Sequence, residues 1–164
     1  MHPTKIMPGP GQESVWDYPR PPRLEATTRH LLIRFADEVL AQTLRGFRVL
    51  ETSHPPVYYF PLEDIRREFL LPSTRSSFCE WKGEAQYWSV SVHGKILRDV
   101  AWFYPRPTPA FLPIKNYVAF YAGPMDGCFV DGEKVTPQPG GFYGGWITSD
   151  LVGPFKGGPG SMGW

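Results

Sequence analysis

Cysteine is scarce in this chain of 164 residues, which has only Cys79 and Cys128. Two cysteines so far apart are too few for a disulfide framework, and they cannot form a four-cysteine zinc site. The four histidines are scattered and lack the spacing of metal ligands. The sequence therefore predicts reduced thiols, no bound metal and no cofactor.

The chain also lacks an excess of charge, because 17 Lys and Arg residues are balanced by 16 Asp and Glu residues, for a net charge of +1. Nucleic acids and anionic membranes require a basic surplus or stripe, so neither is an expected partner. No apolar run approaches the roughly 18 residues of a transmembrane helix, and the first residues lack the apolar core of a signal peptide. We therefore expect a soluble, cytoplasmic protein.

Proline and glycine, by contrast, are abundant, with 19 and 17 residues. Residues 1–29 are rich in proline, which fixes φ and removes backbone donors, so this part is predicted to be an extended arm. Residues 136–164 combine many glycines with several aromatic residues. Because a flexible linker seldom carries so many apolar anchors, this part is predicted to wrap over the domain. Residues 30–135 are predicted to form that domain.

The central segments show the pattern of a β protein. Trp88, Val90 and Val92 fall on one face of an extended chain, a period of two that is typical of a half-buried strand. The dipeptides His-Gly at 93–94 and Asp-Gly at 131–132 favour tight hairpin turns. We therefore expect strands joined by short turns.

One short helix is predicted near residues 62–70. Acidic residues lie in its first turn and basic residues follow, in agreement with the helix dipole. Leu62, Ile65 and Phe69 give it an apolar face, and Pro72 is placed to end it. With a single helix among many strands, the chain is predicted to be mostly β, a single small antiparallel domain.

The densest cluster of reactive side chains is Cys79-Glu80-Trp81-Lys82. Cys79 is a candidate nucleophile if a cation, Lys82 or His54, stabilises its thiolate. A lone cysteine among aromatic residues is more often a small buried apolar side chain. The sequence leaves both interpretations open.

Two further candidates involve charge. His54 can act as a general base if a carboxylate orients it, and Glu51 is the local candidate; otherwise it is a loop histidine bonded to the backbone. Glu80 and Lys82 are two residues apart, so they lie on one side of an extended segment. They either bind a polar ligand together or pair with each other at the surface.

Aromatic residues make up 15% of the chain. Most must be buried, but tyrosine and tryptophan have polar tips, and a concave wall of them suits a ring, a sugar or a cation. The candidates for such a ligand-binding wall are Tyr58, Tyr59, Trp81, Trp88, Trp102 and Tyr104.

Four separated motifs run along the centre of the chain. They are Pro55-Pro56-Val57-Tyr58-Tyr59-Phe60-Pro61 followed by Asp64, Cys79-Glu80-Trp81-Lys82-Gly83 followed by Ala85 and Tyr87-Trp88, Ala101-Trp102-Phe103-Tyr104-Pro105, and Tyr117-Val118-Ala119-Phe120-Tyr121. Together they resemble the DUF427 family of uncharacterised bacterial and fungal proteins over about residues 30–131. The Pro-rich start and Gly-rich tail resemble a longer subgroup of that family.

The resemblance implies a small β fold of the Mss4-like type, with two sheets splayed like a tent. Many proteins of that fold group hold zinc through Cys-x-x-Cys pairs, which this sequence lacks. The nucleotidyltransferase label that the family sometimes carries implies an Asp-x-Asp pair for magnesium ions, and the sequence lacks this pair as well.

Three functions are compatible with these observations. The first is a binding module whose aromatic-lined pocket takes a small polar or heterocyclic ligand. The second is a small cofactor-free enzyme that uses His54 or Cys79 with Glu80 and Lys82. The third is an interaction protein, or a homodimer joined through its extended arms.

Overall fold

A computed structural model of the chain describes residues 2–164, which form short strands joined by tight turns. The strands are Glu13–Ser14 (β1), Arg23–Thr27 (β2), Leu31–Phe35 (β3), Glu38–Thr43 (β4), Gly46–Leu50 (β5), Val57–Tyr59 (β6), Leu70–Cys79 (β7), Gly83–Val92 (β8), Lys95–Phe103 (β9), Val118–Phe120 (β10), Gly127–Val130 (β11), Glu133–Lys134 (β12), Thr136–Pro137 (β13), Trp146–Ile147 (β14) and Leu151–Val152 (β15). Four short 3-10 helices are Val15–Asp17, Leu62–Asp64, Arg67–Phe69 and Pro109–Ile114.

Three antiparallel sheets carry most of these strands. Their orders are β2-β5-β6, β12-β11-β3-β4 and β10-β9-β8-β7. A backbone bridge between Phe60 and Val118 joins the end of β6 to β10, so the first and third sheets meet there. The prediction of a mostly β, antiparallel fold is therefore confirmed, and a parallel pair, β1 with β15, is an added feature at the termini.

The predicted hairpin turns are present. His93 and Gly94 connect β8 to β9 with φ of 51° and 80°, and Asp131 and Gly132 connect β11 to β12 with φ of 48° and 84°. Two successive positive φ angles give a turn the twist that matches the flanking strands. These dipeptides supply residues that adopt the left-handed region at low cost.

The predicted helix near residues 62–70 is wrong. Two 3-10 turns, Leu62–Asp64 and Arg67–Phe69, occupy this segment, and β7 begins at its end. Between the turns, Ile65 forms a backbone bridge with Ala41, and the Arg66 N–H donates to the Leu40 carbonyl at 2.9 Å. Pairing with β4 therefore replaces the hydrogen bonds of a helix, while Ile65 still becomes buried.

The main core lies between the second and third sheets. Leu31 and Ile33 of β3 pack there with Val90 of β8 and Phe120 of β10. Trp146, from the C-terminal segment, completes this core and is only 1% exposed. The domain core therefore includes a residue from the Gly-rich part of the chain.

The two terminal segments pack against each other and against β5. Trp16 and Leu151 share a cluster with Leu50, and the rings of Trp16 and Trp164 lie 5.6 Å apart. The Trp16 indole N–H donates to the Pro154 carbonyl at 2.9 Å. Among residues 2–164, no helix combines the length and apolar character needed to span a membrane.

Candidate functional site

A cavity of about 640 Å³ lies between the tip of the β7–β8 hairpin and the C-terminal segment. Its floor is formed by β5 and β6 together with one face of β8 and β9. Residues 79–82, at the hairpin tip, form one wall, and residues 138–144 form part of the opposite wall. Three regions that are distant in sequence therefore share one concave surface.

Strand alternation decides which aromatic candidates reach the cavity. In β6, Tyr59 lines the cavity, whereas Tyr58 lies in the main core with its ring 5.4 Å from that of Trp146. In β8, Trp88 lies outside the cavity and stacks on Phe103 at a ring distance of 5.4 Å. The candidates that line the cavity are Tyr59, Trp81, Trp102 and Tyr104. Tyr58 and Trp88 are corrections to the expected wall, because neighbouring residues of a strand face opposite sides.

The four candidates for catalysis, His54, Cys79, Glu80 and Lys82, all line this cavity. The last three lie at the hairpin tip, where the strands close with the pair Cys79–Gly83. Thr108 braces the tip, because its hydroxyl donates to the Trp81 carbonyl at 2.6 Å and its N–H donates to the Lys82 carbonyl at 3.1 Å. The hairpin tip is therefore held in place from a separate loop.

Glu80 and Lys82 take different directions at this tip. Glu80 lies on the exposed rim, whereas Lys82 is partly buried, with Nζ 5.8 Å from the ring centroid of Tyr104 and 5.7 Å from that of Phe111. In the part of the chain that the structure describes, no ion pair joins Glu80 to Lys82. A turn does not keep residues i and i+2 on one side as an extended strand does.

Lys82 brings a positive charge into the cavity. Burial lowers the pKa of its ammonium group, but the acidic groups around it, Tyr59, Cys79 and Glu51, outweigh burial and hold the pKa above its ordinary value. The Cys79 side chain lies near this ammonium group. Lys82 is therefore charged at neutral pH.

His54 is buried and neutral at neutral pH. Burial, together with the positive charges of Lys156, Arg20 and Lys82, lowers its pKa to about 4. Its Nε2 lies 3.6 Å from a Glu51 carboxylate oxygen, but that carboxylate also pairs with Arg20 at 3.3 Å. A histidine with so low a pKa is a weak base at neutral pH, so the expected general-base role is disfavoured.

Gln138 fixes the orientation of this histidine. Its side-chain oxygen accepts from the Gly145 N–H at 3.0 Å, so its amide nitrogen faces His54 Nδ1 at 3.0 Å and the Lys156 carbonyl at 2.8 Å. Because an amide nitrogen only donates, Nδ1 must accept, and the proton of the neutral ring lies on Nε2. His54 therefore presents a donor toward Glu51.

Two phenols lie close to Lys82. Burial raises the pKa of both Tyr59 and Tyr104, so both hydroxyls keep their protons and can donate hydrogen bonds at neutral pH. The Trp102 indole N–H donates to the Tyr59 hydroxyl at 3.3 Å. We call this part of the cavity, with His54, Lys82 and the hydroxyls of Tyr59 and Tyr104, the polar end.

The other part of the cavity is mainly aromatic. The rings of Trp102 and Tyr121 lie 4.8 Å apart, and the Arg75 guanidinium lies 4.7 Å from the ring centroid of Tyr87. We call Tyr87, Trp102 and Tyr121 the aromatic end. A ligand in the cavity would thus meet apolar rings on one side and hydrogen-bonding groups on the other.

The wall supplied by the C-terminal segment was missed by the sequence-based list of site residues. Gln138, Tyr143 and Lys156 line the cavity, and the Tyr143 ring lies 4.7 Å from that of His54. Gly144 passes so close to Trp102 that any Cβ there would overlap the indole ring. The aromatic residues between glycine pairs were the available signal for this wall, but nothing in the sequence marked Gln138.

The described residues of this site do not form a set of metal ligands. Among residues 2–164, no three His, Cys, Asp or Glu side chains are grouped so that they could hold a metal ion. The absence of a bound metal stays a prediction, and elemental analysis of the purified protein is its test.

Comparison with known proteins identifies the family of this chain. A search of curated proteins found no detectable relative of this chain. The sequence model of a domain of unknown function, DUF427, matches residues 23–131, which include the cavity floor and the hairpin tip. The opposite wall, from Gln138 onward, lies beyond the matched segment. The chain therefore belongs to the DUF427 family.

Proposed function

We propose that this protein is a binding module whose cavity holds a small planar ligand of polar or heterocyclic character. The observation that carries the proposal is the cavity itself, in which aromatic rings and hydrogen-bonding groups meet in about 640 Å³. Ligand sites in proteins typically measure about 300–1,000 Å³ and combine apolar walls with a few polar groups. The cavity has both properties.

The arrangement of the rings favours a flat ligand. Trp102 is held by its hydrogen bond to Tyr59 and by its contact with Tyr121, whose hydroxyl donates to the Phe142 carbonyl at 3.1 Å. Rings fixed in this way lose little side-chain entropy when a ligand stacks on them. The hydroxyls and the imidazole N–H at the polar end can then orient the heteroatoms of the ligand.

Titration with a panel of planar probes should detect this binding. Quinoline, indole, adenine and uracil can be followed by intrinsic tryptophan fluorescence and by the shift in melting temperature. We expect Tyr121→Ala to weaken the binding of any probe that binds by about fivefold to tenfold, because one stacked aromatic contact contributes about 1 kcal/mol.

Tyr117→Ala is the matched control. Tyr117 and Tyr121 flank β10 and are both partly buried, but only Tyr121 lines the cavity. Tyr117→Ala should leave probe affinity unchanged. The proposal fails if no probe binds at millimolar concentration, or if both variants weaken binding equally.

A second candidate, a small cofactor-free enzyme, is favoured by the position of Cys79 and Lys82 on the same wall of the cavity. The thiolate is the nucleophilic form of cysteine, and its reactivity requires access to the reactant. Cys79 is partly exposed to the cavity, whereas Cys128 is buried, and burial raises the pKa of the Cys128 thiol. Only Cys79 is therefore placed for nucleophilic chemistry.

Alkylation by iodoacetamide should distinguish the two thiols. We expect Cys128→Ala, which keeps Cys79, to react at least about tenfold faster than Cys79→Ala, because exposure and thiolate character set the rate. A Cys79 rate that has reached its plateau at neutral pH would support the enzyme. If the alkylation rate of Cys79 kept rising with pH into the alkaline range, or if both thiols reacted equally slowly, the enzyme would be contradicted. The binding module would then be the remaining proposal.

A further inference from the structure

We propose that the ligand of this cavity is a planar aromatic or heteroaromatic acid, whose carboxylate pairs with Lys82 at the polar end while its ring system lies against the aromatic end. This inference rests on the proposed function and names the chemical class of its ligand. The observation that carries it is a charged lysine inside the cavity that has no carboxylate partner among residues 2–164.

Lys82 has no carboxylate within ion-pair distance among residues 2–164. The ion pairs of these residues are formed by arginines and histidines, so no lysine takes part in one, and Lys82 is one of two lysines that line the cavity. Its neighbours are the Cys79 thiol, neutral phenols and two aromatic faces. A partly buried ammonium group has lost hydration without gaining a fixed counter-ion, so an anion delivered by a ligand would stabilise it.

The neighbouring groups favour an anion over a cation. The Nε2–H of His54 is directed toward Glu51, and the phenol of Tyr104 is a donor near Lys82. Lys156 adds a second positive charge on the tail side of the cavity, where its Nζ lies 5.6 Å from the Tyr143 ring centroid. Donors therefore outnumber free acceptors around Lys82.

Two carboxylates also line the cavity, but neither cancels this preference. Glu51 is paired with Arg20 at 3.3 Å, so its charge is compensated within the protein. Glu80 lies on the exposed rim, where water screens it. Among the described residues, Arg75, Lys82 and Lys156 line the cavity without an ion pair, and of these Lys82 belongs to the polar end.

The geometry also indicates where the ring of the ligand lies. Trp102 contacts both ends, because its N–H bonds Tyr59 and its ring faces Tyr121. A ring system attached directly to a carboxylate can reach from Lys82 across Trp102. A fused bicyclic acid suits a cavity of about 640 Å³.

Matched acid and amide probes test the inference on the full chain. Three pairs are suitable: benzoate with benzamide, nicotinate with nicotinamide, and quinoline-2-carboxylate with quinoline-2-carboxamide. Members of a pair share ring and shape and differ in charge. In fluorescence and NMR titrations at neutral pH, we expect at least one acid to bind about tenfold or more tightly than its amide, and added sodium chloride to weaken only the acid.

Lys82→Met removes the charge and keeps the length of the side chain. In this variant we expect the acid to bind no better than its amide. Lys115→Met, at an exposed lysine outside the cavity, should retain the preference for the acid. Circular dichroism and melting temperature establish that each variant is folded.

The outcomes separate the two proposals. If acid and amide bind equally to the unaltered protein, the inference is overturned and the binding module stands. If the acid preference survives in Lys82→Met, the recognition of the carboxylate by Lys82 is overturned. If no probe of any pair binds, the inference is overturned, and the proposed function is overturned with it only if quinoline, indole, adenine and uracil do not bind either. The preference of the unaltered protein needs no variant, so it can be measured even if Lys82→Met folds poorly.

Discussion

Replacing Trp146 with alanine should lower the free energy of unfolding by about 3–5 kcal/mol, the usual loss for a large aromatic side chain removed from a core. Trp146 is 1% exposed, and its ring lies 5.4 Å from Tyr58 and 6.0 Å from Phe60. Its indole N–H also donates to the Phe120 carbonyl at 3.0 Å, so the variant leaves a buried acceptor without its partner. Urea unfolding followed by far-ultraviolet circular dichroism measures the loss.

Phe142→Ala is the matched control for this experiment. Phe142 is another aromatic residue of the same Gly-rich segment, but it is 74% exposed. Its removal should change stability by less than about 0.5 kcal/mol, as is usual at exposed positions. If Trp146→Ala were equally mild, the C-terminal segment would not be part of the core, and its contribution to the cavity wall would lose its physical basis.

The strand pattern was readable from the sequence because it depends on short-range rules. The strand β8 and the left-handed turn residues at 93–94 and 131–132 follow from such local rules, and both are present in the structure. The half-buried pattern predicted for β8 is not present, because Tyr87 and Ser89 are buried as well as Val90. The helix near 62–70 failed for the opposite reason. The spacing of Leu62, Ile65 and Phe69 is compatible with a helix, and it is equally compatible with two short turns on either side of a backbone bridge. The bridge forms with β4, which lies about 20 residues earlier in the chain, so the local sequence could not distinguish the two structures.

The candidate site was predictable only in part. Cys79 and Lys82 stand close together in the sequence, so their joint presence at one cavity needed little more than a hairpin turn. Which member of an adjacent aromatic pair faces the cavity depends on strand register, so the sequence names both Tyr58 and Tyr59 as candidates, and only Tyr59 lines the cavity. Gln138 has no sequence signal, because its contact with His54 exists only after the tail has folded back.

Lowering the pH from 7 to 4 should reduce the free energy of unfolding by about 3 kcal/mol through His54 alone. The pKa of His54 falls from 6.5 in the unfolded chain to about 4 in the folded protein. Between pH 6.5 and pH 4, His54 binds a proton in the unfolded state but stays neutral in the folded state. Stability due to the neutral ring is therefore complete above pH 6.5, and it is lost as the pH falls toward 4.

The carboxylates of the protein contribute in a lower range of pH. Hydrogen bonds from Arg45 lower the pKa of Asp64 below 3.8, so the stability it provides is lost only as the pH falls further. Acid unfolding by such groups therefore adds to the His54 effect mainly below pH 4. Between pH 6.5 and about pH 4, the change in the free energy of unfolding is therefore mainly the contribution of His54.

Urea unfolding at several pH values, in the unaltered protein and in His54→Gln, measures this contribution. The variant lacks the titrating ring, so its stability should change by less than about 1 kcal/mol across the interval, whatever its stability at pH 7. His93→Gln, at an exposed histidine on the β8–β9 turn, should keep the slope of the unaltered protein. If His54→Gln kept that slope too, other groups would cause it, and burial would not lower the pKa of His54 on folding. His54 would then titrate as an ordinary histidine and would be available for acid–base chemistry instead of serving as a fixed neutral donor.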